Sequence, residues 1–223
     1  MTPGRFTAIV EKKTKLTPNV VLVRLRLAPA ARWRFIPGQH IVLEIPLGKE
    51  ILERPFSIAS FPNESRHLEL VVRLVPGGVA SSFFEKSRRG AAVTFYGPRG
   101  NFKIRSAQRP LRFIASGTGI APFRPMLYDL LEIRRVGVPI KLAVIAPSVQ
   151  EALLEKEFCA RALRHANLEY TLVTKLDDYF ERFGAGRGED IYLCGGVLFV
   201  KDTKAILIKK GVGEESIYHE EFI

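Results

Sequence analysis

Residues 110–123 read PLRFIASGTGIAPF. An apolar run from Leu111 to Ala115 ends in Ser116. It then crosses Gly117-Thr118-Gly119 into a stretch, IAPFRPMLYDLLEIRRVG, that reads as a helix. A continuous apolar strand feeding a helix belongs to a parallel sheet covered on both faces. PIKLAVIA (139–146), LEYTLVT (168–174) and DIYLCG (190–195) repeat that strand, and QEALLEKEFCARALR (150–164) and LFVKDTKAILIKKG (198–211) supply covering helices. SIYHEEFI (216–223) reads as a final strand with Tyr218, Glu220 and Phe222 on one face and His219 and Glu221 on the other.

The first half has a different period. In VVLVRLRL (20–27), Val21, Val23, Leu25 and Leu27 share one face, with Arg24 and Arg26 opposite. In HLELVVRL (67–74), Leu68, Leu70, Val72 and Leu74 face inward, with His67, Glu69 and Arg73 outward. Further strands are expected at 5–14, 40–46, 54–60 and 91–96, separated by turn residues such as TPN, PGQ and FPNES. Six short strands in about a hundred residues point to a small antiparallel barrel or sandwich. The change of style falls at SAQRP (106–110). Two domains are expected: residues 1–106 as a six-stranded antiparallel β-barrel, and residues 107–223 as an α/β domain with a parallel sheet.

Charge follows the same division. The chain carries +11 overall; the part up to Pro110 carries +12 and the remainder −1. An excess confined to one half points to an anionic partner: a nucleic acid, an acidic protein or a phosphorylated cofactor. A nucleic-acid role is disfavoured, because no basic run is interleaved with aromatics. The chain has no apolar run of eighteen residues and no secretory signal, so neither membrane insertion nor export is expected. Two distant cysteines, Cys159 and Cys194, exclude a disulfide framework or a cysteine-held iron–sulfur cluster and fit a cytoplasmic setting. The four histidines have no metal-ligand spacing, and no metal site is expected.

Chemistry in such a sheet lies beyond the carboxyl ends of its strands. Gly117 and Gly119 would let main chain approach a pyrophosphate, and Pro122 suits the first helical position. Pro122 stands where a dinucleotide fingerprint has its third glycine. Cys194 ends a strand before two glycines, Gly195 and Gly196, with no base beside it in sequence. On its own it reads as a small buried apolar residue, and Glu220 as an edge-strand carboxylate.

Taken together, these pieces resemble the ferredoxin–NADP reductase superfamily. RPFSIAS (54–60) resembles its flavin motif, and PGGVASSF (76–83) its flavin-phosphate loop. GPRGNF (97–102) is similar to the turn closing its barrel, and SGTGIAPF (116–123) to its nicotinamide-nucleotide loop. YLCGG (192–196) resembles its Cys-Gly motif, and EEF (220–222) its acidic-x-aromatic ending. Six motifs in family order cover nearly the whole chain.

The resemblance implies an NAD(P)H-dependent flavoprotein reductase holding FAD, with FMN the alternative. Arg54 then binds a flavin phosphate, Pro55 and Phe56 flank the ring, and Ser57 reaches the atom where the hydride arrives. Phe56 stands where many relatives have tyrosine. Val72, Arg73, Gly78, Val79, Ala80 and Ser81 complete the phosphate and adenine contacts, and Phe222 covers the ring. Gly117, Thr118, Gly119, Ala121 and Pro122 hold the pyrophosphate of NADPH or NADH, with the nicotinamide near Cys194 and Gly195. Ser57, Cys194 and Glu220 form the implied catalytic set, Cys194 shaping the pocket without acting as a nucleophile. Ser148 and Lys175 lie where NADPH-preferring relatives carry a phosphate-binding arginine and a Ser-Arg pair. Lys175, with no acid immediately after the second strand of this domain, leans the expectation to NADPH. The segment between Lys175 and Tyr192 is shorter than usual in the family. The implied acceptor is an acidic protein: a ferredoxin, a flavodoxin or an oxygenase component. The alternatives are a flavin reductase using free flavin and an electron-transfer subunit of a larger complex.

Overall fold

The computed structural model describes residues 4–29 and 33–222. The chain divides into two compact units. One comprises residues up to Lys103 with Ala121–Asp129, and the other Ile104–Ile120 with Leu130 onward.

The first unit is built on six strands: β1 (Gly4–Thr17), β2 (Val20–Leu27), β3 (His40–Leu47), β4 (Glu50–Ser57), β5 (His67–Arg73) and β6 (Ala92–Arg99). They form one antiparallel sheet in the order β4-β3-β6-β1-β2-β5, and a bridge between Ile58 and Leu70 brings the two ends of that order together. Alternation explains the core. Val23, Leu25, Leu27, Ile41, Leu43, Ile45, Leu68, Leu70 and Val72 all point inward and are buried with Trp33 and Phe95. Helix α1 (Val79–Lys86) adds Phe84 to that core. Each such large apolar side chain contributes about 1.5–3 kcal/mol relative to exposure. The Lys13 ammonium donates to the carbonyls of Phe84 and Glu85, satisfying the end of α1 where the helix dipole favours a cation.

One outward residue behaves unexpectedly. Glu69 faces away from the barrel core, yet it is buried. Arg124 covers it, donating to its carboxylate at 2.5 Å and to the Ala59 carbonyl at 2.8 Å while lying 4.5 Å over the Phe61 ring. Arg24 approaches the other carboxylate oxygen at 3.4 Å. Two guanidinium groups thus compensate a buried anion that strand periodicity alone places in solvent.

In the second unit, β7 (Leu111–Ser116), β8 (Ile140–Ile145), β9 (Leu168–Val173), β10 (Asp190–Gly196) and β11 (Ile217–Phe222) form a parallel sheet in the order β11-β10-β7-β8-β9. A tight 3₁₀ turn, Gly117–Gly119, leads from β7 into α2 (Ile120–Tyr128), which continues as a π turn through Ile133. The other helices are α3 (Glu155–Arg164), α4 (Leu176–Phe183) and α5 (Val197–Lys209). Two features depart from expectation. Helix α2 starts two residues before Pro122, which still lies in the first turn, where no N–H is needed. Helix α4 fills a stretch expected to carry no element; it spans eight residues and buries Tyr179 and Phe180.

The buried Arg112 explains why α4 and its following loop hold their place. Its guanidinium donates to both Glu189 carboxylate oxygens, to the Tyr179 hydroxyl at 3.1 Å and to the Gly184 carbonyl at 2.8 Å. Among the described residues, no helix is long and apolar enough to cross a membrane. No group of three or more His, Cys, Asp or Glu residues there is placed to hold a metal ion.

Candidate active site

In the first unit, the antiparallel pairing of β3 with β4 sets Ser57 opposite His40, Phe56 opposite Ile41, Pro55 opposite Val42 and Arg54 opposite Leu43. Strand alternation therefore separates two roles. Arg54 is exposed, its guanidinium donating to the Glu53 carbonyl at 2.8 Å, and Ser57 is buried three residues on. Phe56 is half-buried and meets Phe84 of α1 edge to face at 5.6 Å. Ser60, just beyond, is fully buried, and its hydroxyl has no hydrogen-bond partner among the described residues.

The N-terminus of α1 is the natural anion seat beside this strand. Gly78 is its cap residue, with no side-chain cap, so the N–H groups of the first turn are left for an outside acceptor. Ser81 has another task. Its hydroxyl accepts from the Val75 N–H at 2.7 Å and lies 3.4 Å from the Arg73 carbonyl, closing the loop between β5 and α1. Only its main chain remains for a ligand. Val72 is in the same position, since its side chain lies in the barrel core, while Arg73 next to it is exposed. Val79 and Ala80 are half-buried at the helix start.

A surface cavity of about 490 Å³ adjoins this helix, lined by Ile45, Pro46 and Leu47 of β3 and by Gly77, Val79, Ser82, Phe83, Lys86 and Ser87. Its β3 wall was not among the expected site residues. No motif marks IPL, and only the packing of β3 beside α1 reveals it. An exposed cation on β4, an uncapped helix N-terminus, an orphaned buried hydroxyl and an adjoining apolar cavity fit a dinucleotide flavin.

In the second unit the motifs converge at the carboxyl ends of the central strands. Register pairs Cys194 of β10 with Ala115 of β7 on one side and with Glu220 of β11 on the other. Gly117 has φ +54, a conformation that favours glycine, and Gly119 packs directly on the Cys194 carbonyl. Gly195 touches the Phe199 ring in the same way. Thr118 is half-buried; Ala121 and Pro122, which count with the first unit, are buried along the start of α2. Alternation along β11 leaves Tyr218, Glu220 and Phe222 half-buried and His219 and Glu221 exposed, the two faces expected from the sequence. Tyr218 stacks on Tyr192 at 4.9 Å, fixing β11 beside β10.

The Cys194 thiol is fully buried. Burial first, and the nearby Glu220 charge second, push its pKa well above the ordinary value, against a hydrogen bond with the Gly195 main chain. It stays protonated at neutral pH, which removes it as a thiolate nucleophile. Ser148 and Lys175 lie apart from this group, beyond the ends of β8 and β9.

Known proteins are similar to this chain over most of its length. A family model described as the oxidoreductase FAD-binding domain matches residues 7–104. The toluate 1,2-dioxygenase electron transfer component of Pseudomonas putida is 27% identical over 97% of this chain and 67% of its own length. The anthranilate 1,2-dioxygenase electron transfer component of Acinetobacter baylyi is 29% identical over 85% of this chain and 58% of its own. The chain thus spans about two thirds or less of these relatives. Among solved structures, the cytochrome P450 reductase GcoB of Amycolatopsis matches with a TM-score of 0.85 and 26% identity, covering 99% of this chain and 70% of that one. Barrel, parallel sheet, motif order and relatives agree with those of the ferredoxin–NADP reductase superfamily of FAD- and NAD(P)-binding flavoprotein reductases, and residues 7–104 match its FAD-binding domain.

Proposed function

We propose that this chain is an FAD-dependent NAD(P)H oxidoreductase that passes electrons to an acidic protein acceptor of the ferredoxin, flavodoxin or oxygenase-component type. The observation that carries the reading is the register that sets Cys194 between Ala115 and Glu220, with Gly119 against its carbonyl. A glycine turn, a neutral thiol and a carboxylate then share one strand-end crevice, where a nicotinamide nucleotide is the fitting substrate.

When bound, FAD supplies a ring that takes up a hydride and releases electrons singly or as a pair. Arg54 and the α1 N-terminus hold its phosphates, the first by charge-assisted hydrogen bonds and the second by oriented N–H groups. Phe56 flanks the ring and Ser57 fixes its redox edge by a hydroxyl hydrogen bond. Gly117 to Pro122 seat the substrate's pyrophosphate. Cys194 shapes the nicotinamide pocket as a neutral thiol, and Glu220 orients the nicotinamide or holds a proton beside it. Catalysis by these residues is chiefly alignment, which is sensitive to displacements of about an ångström.

The acceptor assignment draws on the +12 first half and on the electron transfer components of dioxygenases among the relatives. The test is the visible spectrum of the purified protein, anaerobic titration with each nicotinamide nucleotide, and reduction of an acidic ferredoxin at rising salt. A yellow protein, bleached by the nucleotide and passing electrons at rates that fall with ionic strength, supports the reading. A colourless protein that turns over added riboflavin replaces it with a flavin reductase.

A further inference from the structure

Beyond Ser57 the chain leaves β4 but stays firmly held. The Ile58 N–H donates to the Gln39 carbonyl at 3.0 Å and the Ala59 N–H to the Glu69 carbonyl at 2.8 Å. Ile58, Ala59 and Ser60 are all fully buried. No helix or strand spans residues 59–66, so this segment has no ladder of its own. Its Ala59 carbonyl is met by a side chain instead.

That side chain comes from α2. Arg124 and Tyr128 stand four residues apart and so share one face of the helix, in the part that counts with the first unit. A single Arg124 nitrogen, Nη1, donates both to the Ala59 carbonyl and to the buried Glu69 carboxylate, and the guanidinium covers the Phe61 ring. Tyr128 stacks on the same ring at 4.3 Å, and its hydroxyl accepts from the Asn63 amide at 3.0 Å. Two side chains of one helix thus grip the irregular segment at Ala59, Phe61 and Asn63.

Stability alone does not account for this arrangement. A buried ion pair adds little net stability, because desolvating two charges offsets their attraction. What Arg124 adds is geometry, since it ties Ala59, two residues beyond Ser57, to a carboxylate on β5.

We propose that Arg124 is a positioning residue for hydride transfer. Its bonds to Ala59 and Glu69 fix the segment that follows Ser57, and so hold the Ser57 hydroxyl at the redox edge of the flavin. This rests on the reading of β4 as the flavin strand. A tilt of the segment carries into that hydroxyl, and alignment on the scale of about an ångström governs the rate.

Anaerobic flavin bleaching by saturating NADH or NADPH, followed by stopped flow on the flavin-loaded full chain, tests the proposal. Arg124→Met should retain FAD yet bleach at least about tenfold more slowly. It also leaves the buried Glu69 carboxylate short of a cation, so its Tm should fall. Arg124→Met combined with Glu69→Gln removes that charge. The double variant should recover most of the lost Tm while its rate stays low, since the Ala59 carbonyl still lacks its donor. In a Ser57→Ala background, Arg124→Met should slow bleaching by less than about twofold further, because both residues act through one hydrogen bond. A normal rate in Arg124→Met, a rate that returns with Tm in the double variant, or a further tenfold loss in the Ser57→Ala background overturns the proposal. Should Arg124→Met not fold, the double variant decides. A wild type that bleaches normally while any of these contrary results appears sinks only this inference. A wild type that holds no flavin, or is bleached by neither nucleotide, sinks the reductase reading itself.

Discussion

Gly119 lies so close to Cys194 that a Cβ on the glycine would stand 2.1 Å from the cysteine carbonyl oxygen and 2.4 Å from its carbon. Both obstacles are main chain and neither can rotate away. Gly119→Ala must therefore spread β10 from the turn after β7, at an overpacking cost of about 1–3 kcal/mol. The same shift opens the proposed pyrophosphate seat. Gly196→Ala is the matched control, since a Cβ there meets nothing within 4 Å and its φ is −64. The expected result is a lowered Tm and weakened ADP-ribose binding for the first variant and neither for the second, read by calorimetry.

The two cysteines should separate cleanly in a labelling experiment. Cys194 is fully buried with its thiol held protonated, while Cys159 is exposed on α3. Partial desolvation and then Glu155 raise the Cys159 pKa, so its alkylation should be slow. Iodoacetamide at pH 8 should modify only Cys159 in the native protein and both residues after denaturation. Rapid native labelling of Cys194, seen by mass spectrometry, would sink the view of it as a neutral wall of the nicotinamide pocket.

These results bear on what could be read from the chain alone. Alternation in VVLVRLRL and HLELVVRL located the barrel strands because each residue's face follows from its immediate neighbours. The proposed site residues Arg54, Ser57, Gly117, Gly119 and Cys194 stand out because each sits in a short, ordered run. Glu69 and Arg112 do not. Glu69 is buried by Arg124, 55 residues away, and Arg112 is neutralised by Glu189, 77 residues away. No periodicity reports such partners. Helix α4 was too short for its apolar spacing to stand out.

Arg54 and Ser57 share a strand but should fail differently. Replacing Arg54 with Met removes charge-assisted hydrogen bonds to the flavin phosphates, each worth about 1.5–3 kcal/mol. FAD affinity should fall roughly 10–100-fold, seen as flavin lost on gel filtration and recovered by added FAD. Ser57→Ala should retain FAD but slow anaerobic flavin reduction by at least about tenfold, because the ring loses its positioning hydrogen bond. Loss of flavin in Ser57→Ala with normal reduction after reconstitution would reverse the two roles.

The last prediction concerns acid stability and the pair Arg112–Glu189. The Arg112 side chain is 1% exposed and the Glu189 side chain 12%. Burial acts to raise the Glu189 pKa, but hydrogen bonds and charge from Arg112 and Lys141 outweigh it and hold the carboxyl below its ordinary value. Tyr179, whose phenol is pushed up to about 12 mainly by burial, stays un-ionised and accepts from Arg112. In the unfolded chain Glu189 titrates near ~4.3. A carboxylate with a depressed folded pKa adds stability above that unfolded value and loses it as pH falls through the folded one. Wild type should therefore exceed Glu189→Gln in Tm at pH 7, and the difference should shrink as pH falls below about 4. Arg112→Met leaves the half-buried carboxylate with Lys141 at 3.2 Å as its cation and should destabilise by about 3–5 kcal/mol at pH 7. Urea unfolding of the three proteins at pH 7 and pH 3.5 measures both effects. A Glu189→Gln difference that persists undiminished at the lower pH would show that the charge of Glu189 contributes nothing to holding α4 and its loop.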